Sequence, residues 1–196
     1  MTYRRDGKGI KTDSDRWNKA FPKEPYVANY SPDIDSEHKW ALLQEMPHID
    51  SKNPKLRHIA KLIWQLSEER PIRFLKLALA VARDGITYES DIKQFGHEDI
   101  AGVTRPPEPD DAIDAYERGH DDCDAKARLF VALCLAQGFE ARLWPLWKAE
   151  ELSHVAAEVK HNGQWIHAET ILSRARLGEM HTDVPKEPKT GKWKLT

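Results

Sequence analysis

One stretch of the sequence combines a cysteine with the signals of a helix start. Residues 119–127 read GHDDCDAKA, and an apolar helical run that ends at Gly138 follows them. Asp121 or Asp122 can cap the first turn, because a carboxylate on a short side chain accepts hydrogen bonds from the free N–H groups there. A thiol in that turn meets these N–H groups and the positive end of the helix dipole, which favour the thiolate. Cys123 is therefore a candidate nucleophile.

Cys123 also admits a structural interpretation. Free cysteines are among the most buried residue types, and many serve only as small apolar side chains. The aspartates beside Cys123, when ionised, oppose thiolate formation. Cys134, further along the same helix, suits the core better than a site. The helix start therefore indicates a nucleophile only if a base lies nearby.

A β-hairpin is predicted downstream of the cysteine. Residues 153–161 and 164–171 are strand-like runs, and Asn162-Gly163 between them is the strongest two-residue signal for a type I′ turn. Such a turn sets the register of the hairpin, because the residues on either side of it must face each other. Each later pairing then follows along the two strands.

This register brings a histidine and a carboxylate together. Ala156 comes to lie opposite Glu169, and His154 opposite Ile171. Because side chains alternate along a strand, His154 and Glu169 share a face as diagonal neighbours, with their backbones about 7 to 8 Å apart. A carboxylate there can orient an imidazole that takes the proton of a thiol. Cys123, His154 and Glu169 thus form a candidate Cys-His-carboxylate triad.

The same register offers a competing pair, because Glu158 lies opposite His167 on that face. A bulge in either strand would change every pairing, and spacing alone does not separate the two pairs. The opposite face of the hairpin is apolar and carries Val155, Ala157, Val159, Ile166 and Ala168. A triad therefore requires that the sheet is covered on both faces near His154, or that the N-terminus of the helix approaches the end of the strand.

Helices are predicted before the cysteine. A stripe of apolar residues at steps of three and four begins at Lys55. A second helix runs from Pro71 to a stop at Gly85, and a short one covers residues 112–118. Residues 96–110 hold two glycines and three prolines, which predicts an irregular connection of the kind that often has a function.

The order of these pieces resembles the core of the transglutaminase-like superfamily, a branch of the papain-like thiol enzymes. The pieces are a cysteine helix start with acidic neighbours and a following Lys-Ala, an apolar helix ended by glycine, a strand reading ARLW, a strand opened by histidine, an Asn-Gly turn, and a strand with tryptophan that ends in an acid. They occupy residues 119–127, 129–138, 141–144, 154–159, 162–163 and 165–169. The resemblance covers roughly residues 70 to 172.

The resemblance implies an α+β fold with a transglutaminase-like, papain-like core, in which the cysteine helix packs on an antiparallel sheet or partial barrel and the N-terminal part is helical. It implies Cys123 as nucleophile, His154 as base and Glu169 as the orienting acid, and so selects His154 over His167. The third member of the family's triad is usually Asp, where this chain has Glu. A second oxyanion donor, beside the backbone N–H of Cys123, is expected within residues 88–94.

Composition divides the chain into three predicted parts. Residues 1–55 form an extended N-terminal arm with a short helix, because prolines, charges and scattered aromatic residues follow no sustained period over most of this segment. Residues 56–178 form the transglutaminase-like domain. Residues 179–196, rich in lysine and proline, form a flexible C-terminal tail.

The balance of charges bears on partners and location. The chain of 196 residues has 30 Lys and Arg against 32 Asp and Glu, a formal net charge of −2. It lacks the global basic field of a nucleic-acid binder. It also lacks the apolar run of a secretory signal and the roughly 20 apolar residues of a membrane span. We therefore expect no nucleic-acid or membrane partner and a cytoplasmic location, or a virion-associated one if a phage encodes the protein.

Three functions fit these residues. The favoured one is amide-bond acyl transfer or hydrolysis on a protein or peptide substrate through a thioester, as in a cysteine peptidase, deamidase or transglutaminase-like enzyme. The alternative is a catalytically weak or inactive module that joins a larger protein assembly through its N-terminal arm, for example in a phage particle. A metal site from Cys123, His154, His161 and His167 matches no common zinc spacing, so no metal or cofactor is predicted.

Overall fold

The computed structural model describes residues 36–90, 112–148 and 151–179. The helices are α1 Ser36–Asp50, α2 Pro54–Leu66, α3 Pro71–Asp84, α4 Ala112–Arg118 and α5 Cys123–Ala136. The strands are β1 Thr87–Tyr88, β2 His120–Asp121, β3 Ala141–Lys148, β4 Glu151–His161 and β5 Gln164–Ala168. Helices together with an antiparallel sheet make an α+β fold, which confirms the predicted class.

The helix boundaries follow from local chemistry. Asn53 caps α2, because its side-chain oxygen accepts the backbone N–H of Lys55 at 2.9 Å. Pro54 and Pro71 occupy the first turns of α2 and α3, where the helix does not use the missing N–H. Gly138 follows α5 with a φ of +86°, a left-handed conformation that ends helices and that glycine adopts without strain.

Helix α5 is the central element of the described fold. It contacts the other four helices as well as β3 and β4. Its side chains are buried without interruption from Asp124 to Cys134. Burying large apolar side chains such as Leu129, Phe130 and Leu133 stabilises the fold by about 1.5 to 3 kcal/mol each. Packing on all sides therefore gives the N-terminus of α5 a defined place.

The described strands form two sheets. Strands β3, β4 and β5 make an antiparallel sheet in that order, and β1 and β2 make a short parallel pair. His161 pairs with Gln164, and the turn residues Asn162 and Gly163 have φ values of +51° and +78°, as a type I′ turn requires. A bulge after Leu146 disturbs the β3–β4 pairing but not the β4–β5 pairing. The predicted register of the hairpin is therefore confirmed from His161–Gln164 to Ala157–Ala168, where β5 ends, three residues before the predicted end of this strand.

Helix α1 falls within the segment that is predicted to be an arm with a short helix. Its Trp40, Leu43 and Met46 are buried in the same core as the later elements. Asp50, the last residue of α1, accepts two hydrogen bonds from the guanidinium of Arg128 on α5, one of them 2.8 Å long. This part of the predicted arm is thus anchored to the central helix.

Several predicted segments lie outside the described residues. These are residues 1–35 of the arm, the irregular connection over 96–110, and residues 180–196 of the tail. The division into an arm, a domain and a tail therefore stays a prediction. Where the chain is described, no helix is both long and apolar enough to cross a lipid bilayer.

Candidate active site

Cys123 is the first residue of α5. Asp122 precedes it as the N-cap, with an extended backbone and a side-chain oxygen that accepts the backbone N–H of Asp124 at 3.1 Å. Asp121, the other candidate for the cap, binds the guanidinium of Arg118 instead. The thiol therefore lies in the first turn of the helix, where the sequence predicts it.

The thiol lies beside strand β4. The side chain of Cys123 is half-buried, and the backbone N–H of Val155 donates a hydrogen bond to its sulfur. Val155 directly follows His154 along the strand. The N-terminus of α5 therefore lies next to β4 at His154. This is one of the two arrangements, either of which allows a triad.

The charges around the thiol oppose its ionisation. Burial, followed by the negative charges of Asp122 and Asp124, raises the pKa of the Cys123 thiol well above its ordinary value. Glu169 raises this pKa further, while the N–H of Val155 lowers it. The expected stabilisation of a thiolate by the helix start is thus outweighed by burial and by the carboxylates.

His154 and Glu169 form a buried pair. His154 Nε2 lies 3.1 Å from Glu169 Oε2, and the two side chains are 3% and 0% exposed. The other carboxylate oxygen, Oε1, accepts the backbone N–H of Ile171 at 2.9 Å. Both oxygens of Glu169 are therefore bonded. The longer side chain of Glu, in place of Asp, still reaches the imidazole at an ordinary hydrogen-bond distance.

The protonation of this pair follows from its environment. Burial raises the pKa of the Glu169 carboxyl, but the hydrogen bond and charge of His154, with smaller contributions from the Ile171 N–H and from His167, outweigh it and hold the pKa below its ordinary value. Glu169 is therefore an ionised acceptor, and the proton of the contact is on Nε2 of His154. Nδ1 is then the ring nitrogen that can accept a proton.

The competing pair of Glu158 and His167 has other partners. The two residues lie opposite each other in the hairpin. Glu158, however, accepts hydrogen bonds of 2.7 and 2.9 Å from the guanidinium of Arg142 on β3. His167 packs edge-on against Trp144, with ring centroids 4.4 Å apart. The contact of Arg142 with Glu158 thus distinguishes the Glu158–His167 pair from the His154–Glu169 pair, which the hairpin register alone does not do.

Both faces of the sheet are covered near His154. On one face, Val155 and Ala157 belong to the hydrophobic core that includes α5. On the other face, Trp144 and Leu146 are only 4% and 2% exposed. Cover on both faces of the sheet, the other arrangement that allows a triad, is therefore present as well. Exclusion of water also strengthens the hydrogen bonds of the buried histidine.

The four residues considered as metal ligands are not gathered at one place. His161 lies seven residues from His154 along β4, a distance of about 23 Å in a strand. It faces Gln164 beside the turn. Within the described ranges, no group of three or more His, Cys, Asp or Glu side chains is arranged to hold a metal ion.

Backbone donors for an oxyanion are partly described. The N–H of Cys123 lies in the first turn of α5, where the helix offers it no acceptor. Strand β1 lies parallel to β2 just before this turn, and its Thr87 N–H donates to the carbonyl of Gly119 at 2.8 Å. Residues 91–94 of the range expected to hold a second donor lie outside the described residues.

Lys126 has a place in the site that the sequence pattern does not predict. It lies on α5 one turn after Cys123 and is only 1% exposed. Its ammonium donates to the backbone carbonyl of Arg83 at 2.8 Å and to that of Ile86. Burial is the largest influence on this group and lowers its pKa to about 8. In the sequence, Lys126 is one of three charged residues of α5, with Asp124 and Arg128, and its spacing does not identify the carbonyls that it meets.

Residues 76–170 match the family model described as the transglutaminase-like superfamily. A comparison with curated proteins finds no match. Similar solved structures include a candidate cysteine protease from Cytophaga hutchinsonii, with 18% identity and a TM-score of 0.42. They also include a candidate protease from Parabacteroides distasonis ATCC 8503, with 11% identity and a TM-score of 0.49, and a protein described as a TGase, with 14% identity and a TM-score of 0.44.

These solved structures are longer than the chain. The similarity covers 71%, 74% and 86% of this chain but only 44%, 27% and 39% of the respective structures, so the chain spans less than half of each. At these TM-scores the likeness carries no argument about activity. The helix start, the hairpin and Glu169 all lie within the residues that the family model matches. Over residues 76–170, just under half of its length, the chain is therefore similar to the transglutaminase-like superfamily.

Proposed function

We propose that the protein is a thiol enzyme that hydrolyses or transfers amide-bound acyl groups of a protein or peptide substrate through a thioester. Cys123 is the nucleophile, His154 the base and Glu169 the acid that orients the base. The proposal depends on the buried 3.1 Å contact between His154 Nε2 and Glu169 Oε2, at the point of β4 beside which the Cys123 thiol lies. An imidazole held in this way is suited to proton transfer with a neighbouring thiol.

The first half of the reaction forms the thioester. Nδ1 of His154 takes the thiol proton while the sulfur of Cys123 adds to the amide carbon, and the backbone N–H of Cys123 stabilises the oxyanion. The imidazolium then protonates the amine nitrogen. The carbon–nitrogen bond breaks, and the acyl group remains on the sulfur.

The second half releases the acyl group. Water or an amine adds to the thioester carbon and gives its proton to Nδ1 of His154. The carbon–sulfur bond breaks, and the sulfur takes this proton back as the thiol of Cys123. Water yields a carboxylic acid, and an amine yields a new amide. The same residues therefore support a peptidase, a deamidase or a cross-linking enzyme.

The raised pKa of Cys123 supports one form of this mechanism. At neutral pH the thiol is protonated, so its proton moves to His154 during the attack and not before it. Glu169 assists this step because its ionised carboxylate stabilises the imidazolium that forms. The base is therefore required for each turnover.

A second function is favoured by the same raised pKa. A thiol that burial and carboxylates keep neutral suits a transglutaminase-like module that binds other proteins with little or no catalysis. Such a module could belong to a larger assembly such as a phage particle. The two functions differ in whether His154 activates Cys123.

Alkylation of Cys123 by iodoacetamide separates the two functions. For the enzyme, His154→Ala slows alkylation of Cys123 near pH 7 by about tenfold or more, because the base is lost. His161→Ala removes a histidine from the far end of the same strand and should leave the rate unchanged. Peptide mapping distinguishes Cys123 from the buried Cys134. Equal rates in the wild type and both variants would contradict the enzyme and support the inactive module.

A further inference from the structure

Lys126 brings a buried charge to the corner between α3 and β1. Its ammonium donates to the carbonyls of Arg83 and Ile86, and both of these residues lie close to the end of α3. The last carbonyls of a helix have no partner within the helix. Lys126, which lies one turn after Cys123 on α5, therefore supplies the missing hydrogen-bond donor at the C-terminal end of α3.

This corner leads directly into β1, which pairs with β2, the strand that comes just before α5 along the chain. The N–H of Thr87 donates to the carbonyl of Gly119 at 2.8 Å, and that of Glu89 donates to the carbonyl of Asp121 at 2.9 Å. Residues 86–89 are thus held from two directions, by the ammonium of Lys126 and by the strand that immediately precedes Cys123. A displaced corner would therefore displace residues 119–121, which lead into Cys123.

The same corner contacts the segment that follows Glu169. The guanidinium of Arg83 donates to the backbone carbonyl of Ala175, a residue that is fully buried. Arg83 therefore binds Ala175 through its side chain and Lys126 through its own carbonyl. We name Arg83, Ile86, Lys126 and Ala175 the α3 junction. It connects the helix that carries Cys123 with the chain just after Glu169.

Another buried lysine provides a contrast. Lys55 is 4% exposed, and its ammonium forms an ion pair with Glu117. Lys126 instead donates to two neutral carbonyls, while the carboxylates of Asp84, Asp121 and Glu169 act on it only through their charge. Burying a cation with neutral partners is expensive, and an apolar side chain would pack in α5 at a lower cost. Stability alone therefore does not explain why a lysine occupies position 126.

We propose that Lys126 is a positioning residue, whose ammonium holds the α3–β1 corner against α5 and thereby sets the place of Cys123 relative to Glu169. This inference rests on the proposed thiol chemistry for its consequence in catalysis. The contacts of the junction do not depend on that chemistry, so the two can be tested separately.

The experiment compares Lys126→Met with the matched control Lys55→Met and with the conservative variant Lys126→Arg. Hydrogen exchange of the Thr87 and Glu89 amides should accelerate about tenfold in Lys126→Met, the usual scale for the loss of a charged hydrogen bond. Lys55→Met should lower the melting temperature without this change in β1. Lys126→Arg should restore most of the protection, because a guanidinium can also donate to both carbonyls.

Turnover of a glutamine-containing peptide supplies the second measurement. Lys126→Met should lower kcat about tenfold with KM changed less than about twofold, and Lys126→Arg should recover most of kcat. Unchanged exchange of Thr87 and Glu89 in a folded Lys126→Met protein would overturn the inference, whatever happens to kcat. A wild type without any turnover would contradict the proposed function, while the exchange comparison would still decide whether the junction exists.

If Lys126→Met does not fold, a measurement on the wild type replaces it. The ammonium protons of Lys126, observed by nuclear magnetic resonance, should exchange with water much more slowly than those of an exposed lysine, because two carbonyls bind them in a buried site. Exchange as fast as that of a surface lysine would overturn the inference.

Discussion

The two halves of the candidate site are built in opposite ways. In the hairpin, both carboxylate oxygens of Glu169 are bonded, and the pKa of this group lies below its ordinary value, so the ionised form is favoured. At the start of α5, burial, Asp122 and Asp124 raise the pKa of Cys123, so the reactive thiolate is disfavoured. The hairpin therefore favours the ionised carboxylate that the reaction uses, whereas the start of α5 opposes the thiolate.

This difference shows that the placement of a nucleophile and its ionisation are separate properties. The cap at Asp122 places the thiol in the first turn, yet the carboxylate of that cap also raises the pKa of the thiol. The hairpin has no such conflict, because the bond that places His154 also holds Glu169 in its ionised form. The proposed mechanism therefore depends more on the hairpin than on the helix start for its activation.

The largest effect is expected where the nucleophile itself is removed. Cys123→Ala should lower the release of ammonia from a glutamine-containing peptide about a thousandfold or more, because no thioester can form. Cys134→Ala removes the other thiol, which lies in the core, and should reduce the melting temperature but preserve turnover. Equal losses in both variants would indicate a damaged fold and not a lost nucleophile.

The next effect concerns the hairpin half. Glu169→Gln should reduce kcat by about a hundredfold, because a neutral amide neither stabilises the imidazolium nor enforces the tautomer with a free Nδ1. Glu158→Gln is the matched control, since Glu158 is the carboxylate of the competing pair and binds Arg142. Similar losses of kcat in the two variants would remove the distinction between the two pairs.

A smaller effect is expected when a charge beside the thiol is removed at the start of α5. Asn caps helices as well as Asp does, so Asp122→Asn should preserve α5 while it removes a negative charge from beside the thiol. This charge raises the pKa of Cys123, so its loss should move the alkylation profile of Cys123 to lower pH and speed alkylation a few-fold near pH 7. Glu140→Gln, an exposed carboxylate that follows the other end of α5, should leave the profile in place. A profile unchanged in Asp122→Asn would show that the charge of Asp122 does not contribute to the raised pKa of Cys123.

The smallest effect concerns stability in acid. Because the pKa of Glu169 is lowered in the folded protein, its ionised form adds stability that is complete above its ordinary pKa of 4.5 and is lost as the pH falls through the lower folded value. Between about pH 5 and pH 3, the free energy of unfolding measured in urea should therefore decline less steeply in Glu169→Gln than in the wild type. The exposed Glu140→Gln should keep the wild-type slope, and an identical slope in Glu169→Gln would contradict the lowered pKa.

Much of the site could be predicted because its signals are local. The Asn162-Gly163 turn sets a register that holds from His161 and Gln164 to the end of β5 at Ala168, and Glu169, the next residue, contacts His154. The start of α5 follows from an aspartate before an apolar run. The choice between Asp121 and Asp122 as the cap could not be predicted, because it depends on the contact of Asp121 with Arg118.

The sequence alone was enough to place Cys123 at the start of a helix, His154 on a strand and Glu169 close to the end of the next strand, because caps, turns and the alternation of side chains act over a few residues. Only the tertiary structure decided that the Val155 N–H meets the thiol and that carboxylates raise the pKa of Cys123. The tertiary structure likewise decided the pairing of Arg142 with Glu158 and the contacts of Lys126 with the end of α3. These contacts join residues far apart in the chain, and the packing of α5 against the helices and the sheet sets their distances.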